Sequence, residues 1–96
     1  MKREYDAIFV IDSDKNEKEI EEFKNKIQGI FKKYKAEPGG PPDVERKELY
    51  HPIKKKNSVL FLRYKLTCEP QSIEDIKKAI KHEEEILRYA FWRKED

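Results

Sequence analysis

The fold is decided by residues 4–34, EYDAIFVIDSDKNEKEIEEFKNKIQGIFKKY, where a strand pattern gives way to a helix pattern. From about residue 4 to residue 11 the side chains alternate between two faces around an apolar run, which indicates a β-strand. From Ile20 to Tyr34 the apolar residues recur at steps of three and four, which indicates a helix with one apolar stripe. Asn16 and Glu19 have the spacing of a capping box, so we expect the helix to begin there.

The rest of the chain repeats both patterns. Further strand patterns cover about residues 44–54, 59–68 and 85–93. A second helix pattern begins near Pro70, with Ser72 and Asp75 as a candidate capping box. Between the first helix and the second strand, PGGPP at residues 38–42 predicts a loop, because proline has no amide proton to donate to a sheet.

The order of these patterns, β-α-β-β-α-β, predicts an α+β architecture of the ferredoxin-like sandwich type. We expect one domain over residues 1–96, built as a four-stranded antiparallel sheet with both helices on one face. The other sheet face is then left open to solvent or to a partner. By strand parity this open face carries the following residues: Ile8, Val10, Phe61, Arg63, Lys65, Arg88, Ala90 and Trp92. Aromatic and basic side chains on one face are typical both of a nucleic-acid platform and of an ordinary amphipathic surface.

Composition limits the class of protein but does not select a function. Charged residues make up 44% of the 96 residues, apolar residues 36%, and the net charge is only +2. Five of the 22 basic residues are arginine, and an excess of lysine favours solubility over phosphate recognition. A single cysteine excludes an intramolecular disulfide, and no apolar run approaches the ~18 residues of a membrane helix. We therefore expect a cytoplasmic, monomeric protein with no membrane partner.

Few residues of this chain are candidates for catalysis or metal binding. His51, His82 and Cys68 lack partners at metal-ligand spacing, so a structural role is favoured for each, with Cys68 as a small buried side chain. The acidic run at residues 83–85 is typical of a solvated turn. The pair Gly39-Gly40 is followed by prolines and not by a helix with free amides, so it cannot cradle a phosphate. We expect no catalytic residue, no metal and no cofactor.

One segment of the predicted hairpin resembles a known family. The segment is Arg46-Lys47-Glu48-Leu49-Tyr50-His51-Pro52-Ile53-Lys54-Lys55, and it is similar to strand two of bacterial small-subunit ribosomal protein six. The opening Tyr5-Asp6 pair and the closing Glu85-Ile86-Leu87-Arg88-Tyr89 segment resemble the same family. The resemblance covers the whole chain and implies a ferredoxin-like fold without enzymatic activity. It also implies binding to small-subunit ribosomal RNA together with small-subunit ribosomal protein eighteen, with Arg3, Arg46, Lys54 and Arg88 as candidate RNA contacts.

The chain also departs from that family at several signature positions. The usual glycine before the basic pair is absent, and the proline-rich segment at residues 38–42 replaces a strand and turn. Our leading interpretation at this point is an engineered scaffold on the family's backbone, with no retained activity and no partner. The alternative is a natural, diverged ribosomal protein that binds RNA and sits on the ribosome. A third hypothesis is a small hydrolase of the acylphosphatase type, although the acidic turn at residues 12–16 is unsuited to the anion-binding loop that such an enzyme needs.

Overall fold

The computed structural model describes residues 2–53 and 56–94, with the side chains of Ile53 and Lys56 left out of the description. These residues form two helices and five strands. They are β1 (Arg3–Asp12), α1 (Glu17–Lys33), β2 (Glu37–Pro38), β3 (Asp43–Ile53), β4 (Lys56–Cys68), α2 (Pro70–Ile80) and β5 (Ile86–Arg93). This order confirms the predicted α+β fold, with one short strand more than expected.

A single antiparallel sheet organises the molecule. Strand β4 lies beside β1, and β1 lies between β4 and β5. On its other side β4 pairs with β2 near its carboxyl end and with β3 near its amino end. The 13-residue β4 is therefore the longest strand and the one with most partners, because every other strand except β5 pairs with it.

The core lies between one face of this sheet and the two helices, as predicted. The helix side of β1 supplies alternate residues, among them Ala7, Phe9 and Ile11, all completely buried. Phe31 on α1 and Ile76 on α2 are also completely buried. The ring of Phe9 is the centre of an aromatic cluster, with centroids of four rings within 6.5 Å: Phe23, Phe31, Tyr64 and Phe91. Such edge-to-face contacts add to the burial of apolar area that holds both layers together.

The proline-rich segment is an interruption of an edge strand and not a simple loop. Glu37 and Pro38 pair with Thr67 and Leu66, and the amide of Gly39 donates to the carbonyl of Lys65 at 2.8 Å. From Asp43 onward the pairing with β4 resumes two residues out of register. The prediction that Pro38 lies outside the sheet is therefore wrong. An edge strand tolerates proline, because the missing amide proton can face away from the neighbouring strand.

One of the two predicted capping boxes is present. The amide of Glu19 donates to Oδ1 of Asn16 at 2.8 Å, and the amide of Asn16 donates to Oε1 of Glu19 at 3.2 Å. At α2 the residue before the helix is Glu69, and no side chain caps the helix there. Pro70 occupies the first turn, where its fixed φ suits a helix, so Ser72 lies inside α2 and the box predicted for it is wrong.

Candidate nucleic-acid interface

The hairpin of β3 and β4 extends beyond the rest of the sheet. The last pair between β4 and β1 is Val59 with Asp12, so the described residues from 48 to 53 and from 56 to 58 have no third strand beside them. We call residues 48–58 the arm. The side chain of Tyr50 on the arm is fully exposed, at 102% of its reference area. A large aromatic side chain held in water without a contact is suited to stacking on a partner.

The arm is attached to the body by a pair of serines. Ser13, in the turn after β1, lies with its Oγ 2.6 Å from Oγ of Ser58 and donates to the carbonyl of Ser58 at 3.2 Å. Further out, the register shifts between the pair Glu48–Ser58 and the pair Ile53–Lys56, so four residues of β3 face one residue of β4. The described part of the segment that carries the family resemblance therefore runs from the regular ladder at residues 46–48 into an irregular stretch at residues 49–52, whose side chains are exposed or half-buried.

The candidate RNA contacts do not form one patch. Arg46 lies opposite Leu60 on the helix side of the sheet, whereas Arg88 lies opposite Val10 on the open face. Three strand spacings, about 14 Å, separate β3 from β5 at this end of the sheet. Arg3 lies opposite Cys68, about 24 Å away along β1 from the row of Arg88. Lys54, the fourth candidate, lies outside the described residues.

Arg3 is adjacent to a basic groove that the sequence patterns did not reveal. The groove has a volume of about 1000 Å³ and lies between the end of α1, strand β2 and the start of α2. Its cationic lining residues are Lys2, Lys32 and Lys35, and Glu37 and Glu69 add acidic groups. The lysines are far apart in the sequence, and only the packing of α1 against the sheet end brings them together. The excess of lysine over arginine in the composition is the only sequence feature that points to such a site.

The open face carries the side chains predicted for it, but its charge does not favour nucleic acid. Register places Arg63, Lys65 and Arg88 on this face with Ile8 and Val10. Acidic residues alternate with the basic ones; among the described residues of this face they are Glu4, Asp6, Asp12, Asp43 and Glu45. The ring of the aromatic Phe61 is already covered by Nζ of Lys47, 5.1 Å from its centroid. A nearly neutral face lacks the positive field that phosphate binding requires.

The histidines and the cysteine have no site around them. His51 and His82 are both exposed. Cys68 is completely buried, as predicted, and burial raises the pKa of its thiol, which keeps it protonated and unreactive. Within residues 2–53 and 56–94, no cluster of three or more His, Cys, Asp or Glu side chains is arranged to hold a metal ion.

The turn after β1 is equally unsuited to an acylphosphatase-type reaction. Oδ1 of Asp12 accepts a hydrogen bond from the amide of Asp14 at 3.0 Å. An anion bound in this turn would need that amide as a donor, and the carboxylate of Asp12 already occupies it. The structure thus supports the expectation from the acidic sequence of this turn. Neither described helix is long and apolar enough to cross a membrane.

The acidic run at residues 83–85 is not a freely solvated turn. Nζ of Lys26 on α1 pairs with Glu83 and, at 3.5 Å, with Glu85, while Nζ of Lys15 lies 3.6 Å from Glu85. The hydrogen bond to Glu83 is the main cause that raises the pKa of Lys26; burial opposes it, and the negative charges of Glu83 and Glu85 add to the rise. These pairs fasten α1 and the turn before it to the chain between α2 and β5. They connect residues about 60 to 70 positions apart, which no local pattern could reveal.

Comparison with known proteins gives a consistent result over nearly the full chain. Residues 4–93 match the family described as ribosomal protein S6. The small ribosomal subunit protein bS6 of Natranaerobius thermophilus is 27% identical over 98% of both chains, and that of Cutibacterium acnes is 23% identical over 97% of both. The crystal structure of 30S ribosomal protein S6 from Thermotoga maritima has a TM-score of 0.84, with 21% identity over 98% of this chain and 89% of that one. The fold is therefore the one that the hairpin resemblance implied.

These comparisons do not support the engineered scaffold that we favoured from the sequence. Two natural relatives that match almost end to end share only 23% and 27% of their residues with this chain. Loss of some signature residues is therefore compatible with natural divergence, and the altered surface is no evidence that the sequence was engineered. The comparisons favour the natural alternative and confirm that no enzymatic activity is to be expected. The chain belongs to the ribosomal protein S6 family.

Proposed function

We propose that this protein binds small-subunit ribosomal RNA as a diverged S6-type ribosomal protein, in the cytoplasm and on the ribosome. The exposed arm supports this function most directly. It includes residues 48–55 of the segment that resembles the family, and its Tyr50 is fully exposed. A folded protein gains nothing in stability from an unpacked tyrosine, so a binding role explains its position better than packing does.

The scattered positions of the basic residues suit a structured RNA. Arg46 and Arg88 lie on opposite faces of the same sheet end, and Arg3 lies at the other end. A flat single strand could not reach all three, whereas RNA helices and junctions that surround a protein offer phosphates on several sides. We propose Arg3, Arg46, Lys54 and Arg88 as phosphate contacts that position the protein on such an RNA.

We further propose that small-subunit ribosomal protein eighteen binds jointly with this chain. The family resemblance supports this partner. The open face is available for a protein, because its mixed charges and half-buried apolar residues are typical of protein interfaces more than of phosphate-binding surfaces. Joint binding predicts that the two proteins together have a higher affinity for the RNA than either has alone.

A titration with a fragment of small-subunit ribosomal RNA tests the proposal. Binding should be measured with and without ribosomal protein eighteen, at several salt concentrations, for the wild type and for Arg46→Ala and Arg88→Ala. Each substitution should weaken binding and reduce the slope of log affinity against log salt by about one, because one phosphate contact is lost. Lys18→Ala, on the exposed side of α1, is the matched control with the same change in charge.

Two results would reject the proposal. One is an affinity for the ribosomal fragment no higher than that for an unrelated RNA of equal length. The other is a loss of binding in Lys18→Ala as large as in the two arginine variants, which would mean that total charge and not position determines binding.

A further inference from the structure

The open face has a charge pattern that reverses from one edge of the sheet to the other. Register aligns Glu45, Phe61, Val10 and Arg88 in one row across β3, β4, β1 and β5. This row therefore begins with an acid, ends with a base and has two apolar residues between them. When a second copy of this row is laid over the first in the reverse order, each acid faces a base and each apolar residue faces an apolar residue.

A second row of the same face repeats the property. Lys65 on β4 lies opposite Asp6 on β1, and Asp6 lies opposite Trp92 on β5. Lys65 also adjoins Gly39, whose amide donates to its carbonyl at 2.8 Å. Trp92 is 51% exposed, which is a large exposed fraction for the largest apolar side chain.

We propose that this open face is a self-complementary surface for a second copy of the same chain. The two copies are related by a two-fold axis that runs parallel to the strands and lies between the two stacked faces, above the gap between β4 and β1. The strand order of one copy is therefore reversed over the other, so that β3 lies over β5 and β4 lies over β1. In the first row, Glu45 then lies over the partner's Arg88. Phe61 lies over the partner's Val10, but Val10 is only 5% exposed and Lys47 covers the Phe61 ring, so the charge pairs and not this apolar pair determine the register of the contact. In the second row, Lys65 lies over the partner's Asp6. Such a contact is isologous, as most homodimer contacts are.

The same operation gives Trp92 a partner. It brings the indole over the partner's Gly39, at the start of the proline-rich interruption of the edge strand. A residue without a side chain there leaves room for a large ring between two sheets about 10 Å apart. Between the two rows, Arg63 lies over the partner's Ile8, where its aliphatic stem can cover apolar surface while its charged end reaches water.

The size of the face predicts a weak, reversible dimer. It extends about 27 Å along β1 and about 19 Å across four strands, or roughly 500 Å² in outline. A face of this size is small for a specific contact between two proteins, so we expect a weak dimer that forms only at concentrations on the order of 0.1 to 1 mM. The inference goes beyond the proposed RNA binding, since it needs no RNA and differs from the monomer expected from the sequence. The second copy occupies the face that we assign to ribosomal protein eighteen and covers Arg88, so the dimer is a state of the free protein that the ribosomal partners displace.

A charge swap read out by sedimentation equilibrium tests this geometry. Glu45→Arg and Arg88→Glu should each raise the dimer dissociation constant by about tenfold or more, because each sets like charges against each other at two symmetric places. The double variant restores opposite charges and should return the constant to within about threefold of the wild type. Arg46→Glu is the matched control, because it makes the same charge reversal as Arg88→Glu but on the helix side of the sheet, next to Glu45 on β3.

Three outcomes would overturn the proposal. The first is a wild-type protein that stays monomeric up to about 1 mM, which would leave the face to a different partner. The second is a dimer that neither single charge reversal weakens. The third is a dimer that Arg46→Glu weakens as strongly as Arg88→Glu, since the contact would then lie elsewhere. None of these depends on RNA affinity, so failure here leaves the proposed ribosomal function untouched.

Discussion

At the scale of single residues, Tyr64 is the exception in an otherwise apolar core. Its ring packs against Phe31 and Phe9, with centroids 5.1 and 5.7 Å away, and only 1% of the residue is exposed. Its hydroxyl is the one buried side-chain polar atom without a hydrogen-bond partner among the described residues. Burial, with a smaller contribution from the negative charge of Glu21, raises the pKa of this hydroxyl well above its usual value. A buried donor without a partner lowers stability.

We therefore expect Tyr64→Phe to stabilise the protein. The substitution keeps the ring and removes only the unpaired hydroxyl, so the free energy of unfolding should rise by about 1 kcal/mol. Urea denaturation measures this change. Tyr34→Phe, at a half-buried ring on the helix side, should stay within about 0.5 kcal/mol of the wild type. A destabilised Tyr64→Phe variant would mean that the hydroxyl has a bonding partner in solution.

The same residue predicts a pH dependence. Below pH ~10 the hydroxyl is protonated in both states, so the gain from Tyr64→Phe should be constant. Above pH ~10 the tyrosine ionises in the unfolded chain but stays neutral in the folded core, because its folded pKa is raised. The wild type should then lose up to ~1.4 kcal/mol per pH unit relative to the variant. A difference between the two proteins that does not change from pH 8 to pH 11 would contradict this.

At the scale of elements, two glycines have opposite roles. Gly29 lies in the middle of α1 on its exposed side, and a β-carbon there would meet nothing within 4 Å. Gly40 lies in the interruption between β2 and β3 with φ of 143°, a backbone conformation that other residues rarely adopt. The first glycine is a cost to its helix, and the second is a requirement of its turn.

We expect Gly29→Ala to raise the free energy of unfolding by about 0.5–1 kcal/mol, because alanine loses less backbone entropy in a helix. Gly40→Ala should lower it by about 1–3 kcal/mol. Thermal and urea denaturation of the two variants provide the measurement, and each variant is the control for the other. Equal effects of both substitutions would show that backbone conformation does not govern either site.

Most of the element order could be predicted because it is encoded locally. The alternation around Phe9 and the three-and-four spacing from Ile20 to Phe31 are properties of short segments, and both survive in the structure. Insertions into a strand are not encoded in this way. Leu87, for example, is an extra residue between the pairs Val10–Arg88 and Ile11–Ile86, so Ile86 and not Leu87 enters the core. Strand parity read from sequence changes sides at such a bulge.

Much less of the interface was predictable. The arm and its exposed Tyr50 follow from the hairpin pattern, but the faces of Arg46 and Arg88 depend on register, which strand propensities do not specify. The basic groove near Lys2 and the ion pairs of Lys26 both join residues that are remote in sequence. Contacts of this kind are consequences of tertiary packing, and they become visible only with the fold.

At the scale of the whole molecule, we expect the arm to contribute to RNA binding and little to the stability of the fold. The described side chains of residues 48–57 are exposed or half-buried, and the core resumes at Val59. We expect that replacing residues 49–57 by Asn-Gly, a two-residue hairpin turn, changes the free energy of unfolding by no more than about 1 kcal/mol. Affinity for the ribosomal RNA fragment should fall by about tenfold or more, since Tyr50 and Lys54 are removed.

Urea denaturation and RNA titration of the same shortened protein give the two numbers. The variant keeps Ser58 and its contact with Ser13, so the base of the hairpin is preserved. Loss of cooperative unfolding would show that the arm contributes to the core. Unchanged RNA affinity in a stable variant would place recognition on another surface.

The central place of β4 has a consequence for how the protein is made. Strand β1 pairs with residues 59–68 and with β5, and β2 and β3 pair with β4 as well. More than half of this polypeptide is therefore synthesised before β4, the strand with which β1, β2 and β3 pair, is available. The nascent chain carries the apolar β1 segment unpaired throughout that time, and charged residues that flank such a segment oppose its aggregation with other nascent chains.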